Sequence, residues 1–272
     1  MQSLEILRNK IKAVEYLGEI AQALEQSAAN EIFKTREKIL KSRLFFEETW
    51  KVYRTLQQLT PERPEVNNKH LVVVLTLNRG MYGNLLNKVL EKGEHLYKEY
   101  KADLLITGKK GHNHFIKRNE RTIHFFSIPN KVKYEQIEPL KDILGTYAHI
   151  HIVFPRYKSA VQQIVEVVSL ITKPNKEKSQ KKFEDIDERF RVEPNVNEVV
   201  KYFNKTIIGI LIYNYFQESL LAYNAAQMIE MKNAHDNAED QNKILIHQYN
   251  RKRREQIDAK LRELHKYNYS RV

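Results

Sequence analysis

The sequence predicts an α/β fold, in which a small, doubly wound and mainly parallel sheet domain joins a long antiparallel coiled coil formed by the N- and C-terminal helices. Three observations carry that prediction. Six of the eight glycines and six of the seven prolines fall between Pro61 and Pro174, so a turn-rich middle is flanked by helix-compatible ends. Both ends repeat apolar residues at spacings of threes and fours. The middle alternates short apolar runs with amphipathic stretches, which is the pattern of strand–helix units.

Taken in order, residues 1–60 read as one helix. Leu4, Leu7, Ile11, Val14, Leu17, Ala21, Leu24, Ala28, Ile32, Thr35 and Ile39 trace its stripe, Ser3 is placed to cap it, and Pro61 closes it. Residues 61–194 form the predicted sheet domain. Leu71–Leu77 is a continuous apolar run of the kind buried in a parallel sheet, and Ala102–Thr107, Thr122–Ile128 and Ala148–Phe154 read as further strands. Segments 84–100, 131–145 and 158–171 read as helices. Lys173–Lys182 reads as a solvated linker and Phe183–Val192 as one more strand. Residues 195–272 then form the second long helix, about 110 Å from Asn195 to Tyr267 at 1.5 Å per residue. Leu221, Ala225, Met228, Met231, His235, Ala238, Asn242, Leu245, Tyr249, Gln256 and Leu264 trace an imperfect stripe along it. No domain of this size has a core that deep, so the two long helices are expected to bury their stripes against each other. The diluted far end of the second is expected to need another partner.

Composition narrows the function. The chain has no cysteine, which excludes disulfides, thiolate metal sites and cysteine nucleophiles. No run of eighteen apolar residues would span a membrane, and the first residues lack a secretory pattern, so a cytoplasmic protein without membrane insertion is expected. The net charge of +12 is concentrated in two stretches, +8 over residues 60–209 and +5 over residues 240–272. Such a balance suits nucleic acid, an anionic surface or an acidic protein partner. Tyr249-Asn250-Arg251-Lys252-Arg253-Arg254 is its sharpest local feature, with four cations wrapping round a helix. The interleaved Asp240, Glu255, Asp258 and Glu263 argue against nucleic acid.

A sheet of this type invites a nucleotide site after its first strand. Asn78-Arg79-Gly80-Met81-Tyr82-Gly83 could cradle phosphate, but neither dinucleotide nor Walker spacing is present, and Gly108-Lys109-Lys110-Gly111 lacks a magnesium-holding hydroxyl. Both read as tight turns. His149 and His151 share a strand face and His112 and His114 fall in a predicted loop, with no third metal ligand at a readable spacing. No acid/base pair or nucleophile motif stands out, and no catalytic, cofactor or metal residue is assigned.

The residues do resemble the gamma subunit, the central rotor shaft, of F-type ATP synthases. Ser3, Leu4, Ile6, Ile11, Val14, Ile20, Ala23 and Ala28 follow that family's opening helix. Asn78-Arg79-Gly80-Met81-Tyr82-Gly83 is similar to its S-D-R-G-L-C-G-G turn. Met228, Met231, Asn233, Ala234, Asp236, Asn237 and Ala238 follow its M-x-A-M-x-x-A-T-D-N-A run, and Tyr249, Asn250, Arg253 and Ile257 its Y-N-x-x-R-Q-x-x-I-T. Departures cluster at Asn78, Tyr82 and Asn84, at Ala222, Tyr223 and Gln227, and at Arg254 and Asp258, which suggests a divergent member or paralogue.

The resemblance implies a non-catalytic rotor. Its paired helices, packed through Ile11, Val14, Leu24, Met228, Met231 and Ala238, would stand inside a hexamer of alpha- and beta-type ATPase subunits. Tyr249, Asn250, Arg251, Arg253, Arg254 and Ile257 would contact that hexamer, and the turn at Asn78, Arg79, Gly80 and Gly83 would mark the foot. ATP, ADP and magnesium are expected on the partner subunits, and an epsilon-type accessory subunit and a membrane rotor ring are expected at the foot. Two alternatives stay open: a related motor whose output is motility or transport, and a nucleotide-binding α/β enzyme.

Overall fold

The computed structural model describes residues 3–58, 67–78, 80, 82–116, 123–127, 133–171 and 196–269. The chain divides into two compact units, residues 30–226 and residues 1–29 with 227–272. Helix α1, Leu4–Gln58, and helix α5, Val196–Tyr269, each contribute to both. The sequence-based boundaries at 60 and 194 follow secondary structure, whereas the compact units cut through both helices. They do so because the inner stretches of α1 and α5 belong with the sheet.

In the 30–226 unit, five strands lie in the order β3-β2-β1-β4-β5. They are β1 (Asn67–Leu75), β2 (Asp103–Thr107), β3 (Ile123–Phe126), β4 (Tyr147–Tyr157) and β5 (Gln163–Ile171). All neighbours pair in parallel except β4 and β5. Strand alternation sends Val72, Val74, Leu104 and Ile106 to one face, under α2 (Leu85–Tyr100) and Phe115 of α3 (Lys109–Ile116). Helix α2 lies so close that a Cβ on Gly93 would come within 2.7 Å of Val74. Leu71, Val73, Leu75, Ile150 and Ile152 face the other way, under α4 (Glu138–Leu144) and Ile208, Leu211, Ile212 and Phe216 of α5. Helices on both faces make the sheet doubly wound.

Three sequence expectations give way here. Residues 158–171 are not a helix. Residues 158–162 turn the chain, and Gln163–Ile171 returns as β5 antiparallel to β4. The run Ile164-Val165-Glu166-Val167-Val168 is β-branched, and such residues pack better on a pleated surface than in a helix. Gly108–Gly111 is not a free turn, because Gly108 alone, at φ +81°, makes the turn and Lys109 already begins α3. His112 and His114 therefore lie on a helix and not in a loop. In 131–145 the helix is shorter than expected, a 3-10 turn at Tyr134–Gln136 followed by α4. The strand and linker read over 173–192 fall outside the described residues.

In the other unit, the α1 and α5 segments run antiparallel. Gly18 faces Ala238, whose Cβ would lie 3.4 Å from a Cβ added at Gly18. The Gly18 carbonyl accepts a hydrogen bond from His235 Nδ1 at 3.1 Å, and Asn242 Nδ2 donates to Glu15 Oε1 at 3.3 Å. Buried or half-buried positions step in strict alternation of threes and fours, through Leu4, Leu7, Ile11, Val14, Gly18, Ala21, Glu25 and Ala28 on one side. Met228, Met231, His235, Ala238, Asn242, Leu245, Tyr249 and Lys252 answer on the other. That is the 3.5-residue period of a coiled coil. Leu17, placed on the stripe from the sequence, is 63% exposed, because the small Gly18 occupies the seam in its place. Ser3 caps the helix as expected, its Oγ accepting from Ile6 N at 3.2 Å.

Candidate functional site

Three places carry the chemistry that the sequence singled out. The first is the C-terminal stretch of α5. Its seam ends at Lys252, whose side chain is 24% exposed, and every residue from Arg253 to His265 is exposed. Ile257, Leu261 and Leu264 line one side of this overhang at spacings of four and three. The basic run is therefore split. Lys252 turns into the seam while Arg251, Arg253 and Arg254 point out, and Glu255 pairs with both Arg251, whose Nε lies 3.1 Å from its Oε1, and Lys252, whose Nζ lies 3.7 Å from its Oε2. Gln256 and Leu264, placed on the stripe from the sequence, lie on this exposed overhang.

The second place is the carboxyl end of β1. Asn78 Oδ1 accepts from the Lys109 backbone at 2.9 Å and so satisfies the first turn of α3. Gly83 has φ +53°, a conformation glycine adopts freely. A Cβ on Gly80 would meet only the Lys110 side chain at 3.6 Å, an ordinary contact, so nothing steric requires glycine there. Arg79 lies outside the described residues. Tyr82 is buried with its ring 4.6 Å from that of Tyr223, whose hydroxyl donates to the Leu75 carbonyl at 3.2 Å. Burial, and then the neighbouring Tyr82, lift the Tyr223 phenol far above its usual range. Thr76 and Thr107 hydrogen-bond each other's backbones beside them. In a doubly wound sheet this end opens a ligand crevice where the strand order reverses. Here Tyr82 and Tyr223 pack with Leu77, Leu85 and Ala226.

The third place is the histidine group. His70 and His151 bond ring to ring, Nδ1 to Nε2 at 3.1 Å, while His151 Nδ1 meets Ser169 Oγ at 2.9 Å. Tyr100 stacks on both rings, and His149 stacks on His70. Burial, and then the neighbouring His70 and His149, lower the His151 pKa to about 4. Among the described residues no group of three or more such side chains is arranged to hold a metal.

A family model described as ATP synthase matches residues 3–265. The chain belongs to the ATP synthase gamma family. It is 26% identical to the ATP synthase gamma chain of Salinibacter ruber, over 97% of this chain and 96% of the relative. It is 28% identical to that of Parafrankia, over 94% of each. Among solved structures, the fold is similar to a chain of the Euglena gracilis mitochondrial ATP synthase rotor, with TM-score 0.65 and 17% identity, covering 93% of this chain and 98% of that one. It is also similar to a central-stalk chain of the Tetrahymena thermophila enzyme, with TM-score 0.62 and 16% identity, covering 79% and 99%.

Membership in the gamma family gives the departures noted in the sequence a structural reading. Tyr82 and Tyr223, two of those departures, pack ring on ring, with Ala222 fully buried beside them. Of the seam residues named from sequence, Ile11, Val14, Leu24, Met228, Met231 and Ala238 are all half-buried. Tyr249 and Asn250 are half-buried, whereas Arg251, Arg253, Arg254 and Ile257 are exposed.

Sequence reasoning missed a buried charge group in the sheet unit. Glu218 of α5, 3% exposed, is paired with Arg43 of α1 and, at 3.3 Å, with Arg156 of β4. Burial raises the Glu218 pKa against the opposing pull of both arginines. A signal was available, since Glu218 is the lone acid within the otherwise uncharged stretch Ile207–Met228.

Proposed function

We propose that this chain, a rotary-stalk subunit by family, works as the non-catalytic shaft of a rotary F-type ATPase, with its helical pair inside a ring of alpha- and beta-type subunits. The observation that carries this reading is the overhang of α5. A helix that leaves its intrachain seam at Lys252 and continues with Ile257, Leu261 and Leu264 exposed needs an apolar sleeve from other chains. Arg251, Arg253 and Arg254 would meet acidic loops at its collar. Exposed pairs of this kind contribute well under ~1 kcal/mol each, so they can break at every step of rotation.

ATP, ADP and magnesium would bind the partner subunits. The packing of Tyr82 and Tyr223 at the carboxyl end of β1, the end at which such a sheet would hold a nucleotide, supports this. An asymmetric shaft touches each catalytic subunit differently, so its angle and each site's nucleotide affinity are linked reciprocally. The foot, marked by the turn at Asn78, Gly80 and Gly83, would carry an epsilon-type subunit and a membrane ring. Among the described residues no helix is long and apolar enough to cross a membrane, so the ring would be a separate protein.

The test is purification of the native complex. One copy of this chain should accompany about three of each ATPase subunit type, the ratio that the family resemblance implies. A proton-conducting ring should co-purify, and a carboxylate-modifying ring inhibitor should block hydrolysis. A chain that purifies as a stable monomer beside free ATPase subunits defeats the proposal.

A further inference from the structure

We propose that Arg43, Arg156, Glu166 and Glu218 form a torsional clamp that locks α1 and α5 to the sheet, and so act as positioning residues in torque transmission. This rests on the rotary-stalk reading above. Each residue comes from a different element: α1, β4, β5 and α5. Glu218 Oε1 is the shared point. It accepts from Arg43 Nη2, and Arg156 Nε lies 3.3 Å away. Arg156 Nη1 also reaches both oxygens of Glu166 at 2.8 Å, and Arg43 Nη2 reaches the Tyr157 carbonyl at 3.1 Å. One residue along, Ser42 Oγ lies 3.2 Å from Asn214 Oδ1, a second polar tie between the two helices.

Three physical points favour a positioning role over simple stabilisation. A buried ion pair is commonly no more stable than apolar residues of like volume, so its contribution here is direction rather than strength. Apolar contacts tolerate sliding and rotation, whereas a guanidinium fork fixes distance and angle together. The group also borders a cleft of about 180 Å³ lined by Phe46 and Phe154, so apolar packing is incomplete beside it and the ionic contacts span the gap.

The test uses the full chain assembled with its ATPase partners. The sequence has no cysteine, so Val161→Cys, at a residue 80% exposed in the β4–β5 turn, gives one attachment point for a rotation probe. In that background, the paired Arg43→Met and Glu218→Leu change keeps volume and leaves the Arg156–Glu166 pair. Hydrolysis should stay within about twofold of the parent, while the angular spread of the stalled probe should widen by about twofold or more and output per ATP should fall. Glu218→Gln, which keeps a hydrogen-bonding side chain, should lie between and serves if the double variant misfolds. Unchanged angular spread and output in either assembled variant overturns the clamp. A parent chain that does not assemble or rotate would instead overturn the rotary-stalk reading.

Discussion

The two compact units are both held by regular spacing, yet they bury very different surfaces. In the sheet unit, Leu71, Val72, Val74, Leu104, Leu105, Ile106, Ile150 and Ile152 are all 0% exposed. In the helical pair, the α5 side of the seam is half-buried throughout and the α1 side mixes buried with half-buried positions, and small or polar residues, Gly18, Ala21, His235, Ala238 and Asn242, interrupt its larger apolar ones. The first is a core that satisfies itself. The second lets backbones approach closely but leaves Ile6, Tyr16, Leu17 and Ile20 exposed on the outside. A shaft that must be gripped from outside is stabilised by its assembly, whereas a foot has to be stable alone.

The largest expected effect tests this contrast directly. Phe154→Ala, deep in the sheet, should destabilise the isolated chain by about 3–5 kcal/mol. Val14→Ala in the seam should cost about 1 kcal/mol or less in the isolated chain, because its environment is already half solvent. Urea midpoints of the two variants provide the comparison, and equal losses would break it.

Much of this contrast was legible beforehand. Glycine and proline placement located the sheet, and the threes-and-fours spacing located both helices. Residues 158–171 differ from the helix expected because a short apolar run, here Ile164–Ile171 with Glu166 inside it, fits either period. Leu17 was misplaced because hydrophobicity favours leucine over glycine at a seam, whereas close helix approach favours Gly18. The pairing of Tyr82 with Tyr223 and of Arg43 with Glu218 joins residues far apart in the chain, and local periodicity carries no information about such partners.

A smaller effect should follow from enlarging the seam. Gly18→Leu would press on Ala238, already at ordinary contact distance from a Cβ, and on His235. Overpacking of this kind costs about 1–3 kcal/mol, and it should appear as faster amide exchange in residues 3–29 with protection in β1 and β4 unchanged. Loss of protection in the sheet as well would mean that the two units do not respond separately.

Next comes a pH effect confined to the sheet unit. The folded His151 pKa of about 4 lies below its unfolded value of 6.5, so the unfolded chain binds more protons between those limits. His151 therefore contributes stability that is fully present above pH 6.5 and is lost as pH falls toward 4. The loss should be on the order of 2 kcal/mol. Glu218, raised by burial, works in the opposite direction as pH climbs above its ordinary range. His151→Gln should flatten the acid side of the stability profile and leave the Glu218 contribution in place. An unchanged slope between pH 4.5 and 6.5 would show that the stacked histidines do not set it.

The smallest effect on the isolated chain should be the most revealing in the complex. Arg251, Arg253 and Arg254 are exposed and touch nothing in either core, so replacing all three with alanine should change folding stability by less than about 0.5 kcal/mol. In the assembled motor the same change removes three candidate contacts with the collar. At roughly 0.3 kcal/mol each, their loss would slow ATP turnover about fivefold, and the difference should shrink as added salt screens the parent's contacts. Lys252→Ala is the internal control. Its side chain lies in the seam and not on the outer face, so it should loosen the helical pair without reproducing the salt-dependent loss of turnover. If the triple variant turns over like the parent at every salt concentration, the three arginines are solvated surface, and the grip on the shaft falls to the apolar face of Ile257, Leu261 and Leu264.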